Sequence, residues 1–265
     1  MPNASATLTV WASAWLAGVA APDDLLDALS AWAPVQRVHA ADRVAAGAAG
    51  LPDPDGTAAG PATLLASVRR ASPADLRLVL PAAGDVRGLP PGTRFAAAAL
   101  AAGEGVLVPT AGLGLVPGYQ GQEYLRWTVF SVPAEVPPAD HVGLGEAERE
   151  LRAAVRSSAR ALAELEVARE DAHVRARIAA TLRAKPQADW PAGTPPRALR
   201  VLDQAEHIAA ILSAAVEDAP GGARSASAAA AREDLLRPLA TAVRTAQRAA
   251  VEETVRVFAL PRTQS

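Results

Sequence analysis

A change of character near Pro133 constrains this chain more than any other feature. Before it, short apolar runs such as Leu76–Pro81, Gly105–Pro109 and Trp127–Pro133 are broken by Pro and Gly. After it come long Ala/Arg/Glu stretches with helical spacing, interrupted at Pro186–Pro196 and Pro220–Gly222. Short runs between turn residues suit strands, and long periodic ones suit helices. The expected fold class is α+β: a small antiparallel or mixed sheet with covering helices over residues 1–135, then a bundle of three to four helices over 140–260. One core shared by both halves is compatible with this pattern.

The elements follow from local signals. Leu8–Ala20 is ambiguous between helix and strand, although Trp11 and Trp15 are spaced to share a helical face. Pro22 suits a first helical position, with Asp23 and Asp24 in the first turn and Pro34 as the stop. Val35–His39 alternates like a strand, and Ala45–Gly60 reads as turn-rich because of Asp53-Pro-Asp-Gly56. Pro61–Arg70 and Phe95–Ala102 read as helices, and Leu76–Pro81, Gly105–Pro109 and Arg126–Pro133 as strands. Ser131–Pro138, with three prolines, is a plausible linker. In the second half the helices expected are Glu146–Arg183 as one long helix or two consecutive ones, 195–218 opening on Pro195 and Pro196, and one from Ser225 or Ser227 to about Ala259 with a kink at Pro238. That last helix would span roughly 50 Å.

Composition narrows the function classes. Aromatics are 4% of the chain, so the core must rest on Leu, Val and five Trp. Lys185 is the one lysine beside 25 arginines, a bias expected of a GC-rich bacterial genome and not by itself a nucleic-acid signal. Residues 1–140 hold eight arginines against twelve carboxylates, and the rest 18 basic against 16 acidic side chains. Neither half has the concentrated basic face that phosphate-backbone binding needs. There is no cysteine, hence no thiolate nucleophile or thiolate metal site, which suits a cytoplasmic protein. Ala6–Ala21 is an apolar run too short to span a bilayer, and Met1–Thr7 lacks the basic residues of a signal peptide. No membrane association and no nucleic-acid partner are expected.

No arrangement of residues amounts to a chemical motif. Glu170-x-x-His173 has the spacing of carboxylate-bridged metal bundles, and Asp203 with His207 could complete a mixed site. The second copy of the motif is missing, so neither metal nor cofactor is expected. Asp23, Asp24 and Asp27 are better read as helix-start carboxylates than as an acidic metal cluster. His39 with Asp42 and Asp140 with His141 have no G-x-S-x-G serine to serve, and H-E-x-x-H and S-x-x-K are absent.

The stretch Gly112–Gly121 is glycine-rich but leads into a strand and lacks a P-loop lysine. It reads as a mobile hairpin loop. As a flap over a ligand or partner site it would involve Gly112, Gly114, Gly118, Tyr119, Arg126 and Trp127, with Tyr124 nearby.

The function expected is a non-catalytic interaction or regulatory protein. It would engage a protein partner, or a second copy of itself, through helices in 195–260. The alternative is an enzyme or small-molecule binder with a cleft between the sheet and the helical half, using Glu123, Arg126 and His141. Nucleic-acid binding through Arg175, Arg177 and Arg183 is a weaker third reading, opposed by the interspersed acids.

Overall fold

The computed structural model describes residues 3–121, 123–138, 140–164, 189–217 and 226–260. Eight helices and five strands are present among them. The helices are α1 (Ala4–Leu16), α2 (Pro22–Ser30), α3 (Arg43–Ala49), α4 (Ala62–Val68), α5 (Arg94–Ala102), α6 (Leu144–Glu164), α7 (Pro196–Glu217) and α8 (Ala226–Ala259). The strands are β1 (Val35–Ala40), β2 (Arg77–Val79), β3 (Gly105–Val108), β4 (Leu113–Gln120) and β5 (Tyr124–Ser131). None of these helices is long and apolar enough to cross a membrane.

The described residues group into two units. A sheet unit takes residues 3–141 together with 189–195 and 251–260, and a helical unit takes 142–164, 196–217 and 226–250.

In the sheet unit the strands run in the order β1-β5-β4-β3-β2. β1 lies parallel to β5, and the other three pairings are antiparallel, so the sheet is mixed. The outer edge of β1 is bridged at one point, where Val38 and Ala59 exchange backbone hydrogen bonds.

One face of the sheet carries Val38, Ala40, Val106, Val108, Leu113, Leu115, Leu125, Trp127 and Val129. These pack with Leu8, Leu25, Leu29, Leu64 and Val68 from α1, α2 and α4, and with the alanines of α3, into the main core. Helix α1 is buried continuously from Ala4 to Ala14, which explains why its sequence lacks a polar face. The opposite face is covered in part. Val79, Leu107, Val116 and Phe130 pack beneath Phe95 and Ala99 of α5 and Leu89.

The stretch expected to be a mobile loop, Gly112–Gly121, is strand β4 instead. Leu113, Leu115 and Pro117 alternate inward, and Gly114, Val116 and Gly118 are on the other face. Gly114 has a packing reason. A Cβ there would sit 2.3 Å from the Phe95 ring, so glycine is what lets α5 lie on the sheet. Helix α3 is a second departure. Asp42 caps it by accepting a bond from Ala45 N at 2.8 Å, and Ala45, Ala46 and Ala49 are small enough to bury it.

The helical unit holds α6, α7 and α8 up to Ala250. Helix α7 buries Ala198, Val201, Leu202, Ala205, Ile208 and Ala209 as one stripe, and α6 buries Ala147, Leu151 and Ser158. Helix α8 runs through Pro238, and from Val243 to Ala250 it buries Val243, Thr245, Ala246, Gln247, Ala249 and Ala250. Those positions go around most of its circumference, as in a central helix.

Candidate functional site

The six residues singled out in the sequence converge on the β4–β5 hairpin but divide between its faces. Trp127 is fully buried, and its indole N–H donates to Gln36 Oε1 at 3.0 Å. The Gln36 amide in turn donates to the Leu29 carbonyl. Trp127 is therefore core, tying β5 and β1 to the end of α2. Gly112 ends a single 3-10 turn at φ 63°, and Gly114 lies against Phe95. The remaining three, Gly118, Tyr119 and Arg126, reach the surface.

Gly118 and Arg126 are direct partners across β4 and β5, and Arg126 is also the direct partner of Arg37 on β1. Strand alternation puts Val35, Arg37, His39, Tyr124, Arg126, Thr128, Gly118 and Gln120 on the face that α5 half covers. They occupy its uncovered end: Arg37, Arg126, Gly118 and Gln120 are exposed and Val35 is 39% exposed. The His39 imidazole is held below its ordinary pKa by burial and then by the charge of Arg126. Neither Arg37 nor Arg126 forms an ion pair among the described residues, whereas Arg43, Arg87 and Arg94 each meet an aspartate.

Tyr119 lies on the other face, beside a residue that the sequence reading did not single out. Glu104 precedes β3 and is 9% exposed. Its Oε2 accepts a bond from the Ser5 backbone N–H at 2.9 Å. Ser5 lies in the first turn of α1, whose next amide, Ala6, donates to the Asn3 side chain at 2.6 Å. Asn3 and Glu104 thus share the unpaired amides at a buried helix start. Burial pushes the Glu104 carboxyl up to about 7, against the opposing pull of the Ser5 N–H. Tyr119, 46% exposed as a whole residue, has its ionisation pushed up by burial of its hydroxyl end and by the Glu104 charge. The sequence signal was an acidic residue alone between Gly103 and Gly105, ahead of an all-apolar strand.

The other sequence candidates disperse. Asp42 caps α3 and pairs with Arg94 at 3.0 Å, away from any role with His39. Asp24 accepts from Ala21 N at 2.9 Å, a helix-start role. His141 Nδ1 lies 2.8 Å from Glu252 Oε1, and that carboxylate raises the His141 pKa. Asp140 pairs with Arg87 at 2.7 Å. Asp203 and His207 are exposed on α7. Glu170, His173, Arg175, Arg177 and Arg183 lie outside the described residues. Among the described residues no three His, Asp or Glu side chains cluster as metal ligands would.

Comparison with known proteins gives a consistent family. A family model described as "Rv1486c-like protein, N-terminal domain" matches residues 5–142, and its "C-terminal domain" counterpart matches 145–248. The chain is 44% identical over 275 residues to the uncharacterized protein Rv1486c of Mycobacterium tuberculosis (strain H37Rv). It is 42% identical over 285 residues to the uncharacterized protein ML1804 of Mycobacterium leprae, and 38% over 294 to MAV321 of Mycobacterium avium. Each of these alignments covers 93% of this chain and 95% of the relative. No solved structure matches.

Proposed function

The chain belongs to the Rv1486c-like family, and for it we propose a non-catalytic interaction protein that meets its partner on the uncovered end of the sheet. One observation carries this reading. The face under α5 is closed by apolar packing, while the same face over β1 and β5 is left open and carries Val35, Arg37, Tyr124 and Arg126. A flat, rigid patch with an apolar member, an aromatic and two arginines has the composition of a protein interface. A cytoplasmic location belongs to the same proposal and is supported by the absence of cysteine.

The test is site-specific photo-crosslinking. A photoreactive residue at Val35 should capture a discrete partner in a mycobacterial lysate. The same group at Val44 or Val86, which are 70% and 55% exposed but off this face, should not. Equal capture from all three positions would sink the proposal.

Self-association through residues 195–260 is a second reading. Among the described residues of that stretch α8 buries Leu236, Leu239, Val243, Ala246, Ala249 and Ala250, and Ile211 of α7 is an apolar side chain, 39% exposed, that a second copy could cover. An Ile211→Arg variant should then lose any dimer seen by light scattering. An unchanged mass would remove this reading.

A further inference from the structure

Resting on that reading, we propose that Arg37, Arg126 and His39 form a receptor for a phosphorylated serine or threonine on the protein partner. The first ground is an imbalance built into the sheet. Arg37 and Arg126 are direct register partners on one face, so their side chains leave the backbone about 5 Å apart. Like charges directly opposed on neighbouring strands are destabilising. Relief is within reach in composition, because residues 1–140 hold twelve carboxylates for eight arginines. Among the described residues none pairs with Arg37 or Arg126: Arg43 meets Asp53, Arg87 meets Asp85 and Asp140, and Arg94 meets Asp42. Arg37 donates to its neighbour's carbonyl, Gln36 O, at 2.9 Å. Two arginines in direct register, with no carboxylate paired to either among the described residues, attract an anion.

The second ground is the shape and donor set around them. Gly118, opposite Arg126, puts no side chain into the layer, and a Cβ there would find its nearest neighbour, Arg126 O, at 3.8 Å. The side-chain layer is therefore empty opposite Arg126. Tyr124 and Thr128 flank Arg126 on the same face of β5, and His39, the register partner of Thr128, sits close enough to Arg126 to feel its charge. A phosphomonoester matches this set better than a carboxylate. It carries close to two charges for two guanidinium forks, and three terminal oxygens for the additional donors.

The third ground decides the source. A small metabolite is held by burying most of its surface in a cavity. This face is open, so the phosphoryl group must arrive on something broad enough to cover the sheet around it. A nucleic-acid backbone fits poorly, since the acid excess of residues 1–140 would repel a polyanion beyond the arginine pair. Arginine clusters reading a phosphorylated side chain are an established recognition mode.

The experiment uses the full-length chain and a degenerate fluorescent peptide library with a central phosphoserine or phosphothreonine. Its comparison probes are the unphosphorylated library and glucose 6-phosphate. The phosphorylated library should bind at least tenfold more tightly than either, and Arg37→Gln or Arg126→Gln should each weaken it tenfold or more. Arg126→Gln should leave the thermal midpoint of the free protein unchanged or raised. A lowered midpoint would mean that Arg126 is already paired, and would overturn the proposal. Equal binding of the two libraries, or binding of glucose 6-phosphate as tight as that of the peptides, would overturn it too. The two proposals fail separately. If the Val35 crosslink persists after phosphatase treatment of the lysate, the interaction surface stands and the phosphate receptor falls.

Discussion

A carboxylate at a helix start is ordinarily an exposed cap, but Glu104 performs that task from inside the protein. Its burial and its bond to the Ser5 amide pull in opposite directions, and burial prevails, leaving it near 7. An acid raised on folding binds its proton more tightly in the native state. Its contribution is therefore fully present below the unfolded value of about 4.5 and is lost as pH rises through about 7. Over that interval the loss is at most about 3 kcal/mol. Urea unfolding between pH 4.5 and 7.5 should show this decline in the wild type and little of it in Glu104→Gln. Parallel curves would show that the carboxyl titrates normally. Gly114 and Gly118 make a second contrast at the same scale. Gly114→Ala drives a Cβ into Phe95 and should cost about 1–3 kcal/mol. Gly118→Ala meets nothing closer than 3.8 Å and should stay within about 1 kcal/mol by the same chemical denaturation.

At the scale of elements, the Trp127–Gln36–Leu29 chain of hydrogen bonds ties the parallel strand β1 to β5 and α2. Trp127→Phe would leave the Gln36 oxygen without its donor and a gap in the core, costing about 2–4 kcal/mol. Thermal denaturation would register this, whereas a ligand-contact role for Trp127 would leave stability untouched. The same element shows what the sequence made legible. β1, β3 and β5 announced themselves by β-branched and apolar runs between turn residues, and α7 by its stripe of Leu202, Ala205, Ile208 and Ala209. β4 hid because three of its eight positions are Gly or Pro, residues that locally forecast a loop. The reason for Gly114, the close approach of Phe95, comes from another element. α3 hid for a related cause, since its helix of alanines carries no periodic apolar signal. Gly118, Tyr119 and Arg126 were singled out from the sequence, and the register then divides them between two faces; Arg37 came forward only as the register partner of Arg126.

At the scale of the whole molecule the titrating groups pull in two directions. The pKa of His141 is raised beside Glu252, so that pair contributes below about 6.5 and fades as pH climbs through its folded value. Glu104 fades over a lower range. Asp75, held down by hydrogen bonds from Thr110 and the Ser72 amide that outweigh burial, acts in the opposite sense. So does Glu148, held down by Arg197. Their contributions are lost as pH falls below the ordinary carboxylate range. Maximum stability is expected between about pH 4.5 and 6, and a urea midpoint higher at pH 8 than at 5.5 would refute this. The last turns of α8 belong to the sheet unit. Phe258 is buried there, where a Cβ on Gly193 would lie 3.6 Å from its ring. Phe258→Ala should cost about 3–5 kcal/mol, read by thermal denaturation.

That arrangement has a consequence for synthesis. The turns from Val251 to Ala259 follow β5 by roughly 120 residues, yet they belong to the sheet unit. A bacterial ribosome adding about 5–20 residues per second delivers them roughly 6–24 s after the fifth strand. For that interval the nascent chain holds a complete set of strands without its closing turns. A stalled ribosome in this window would release a species that chaperones and quality-control proteases meet as a client, so the abundance of this protein should respond to translation speed between the codons for Ser131 and Val251.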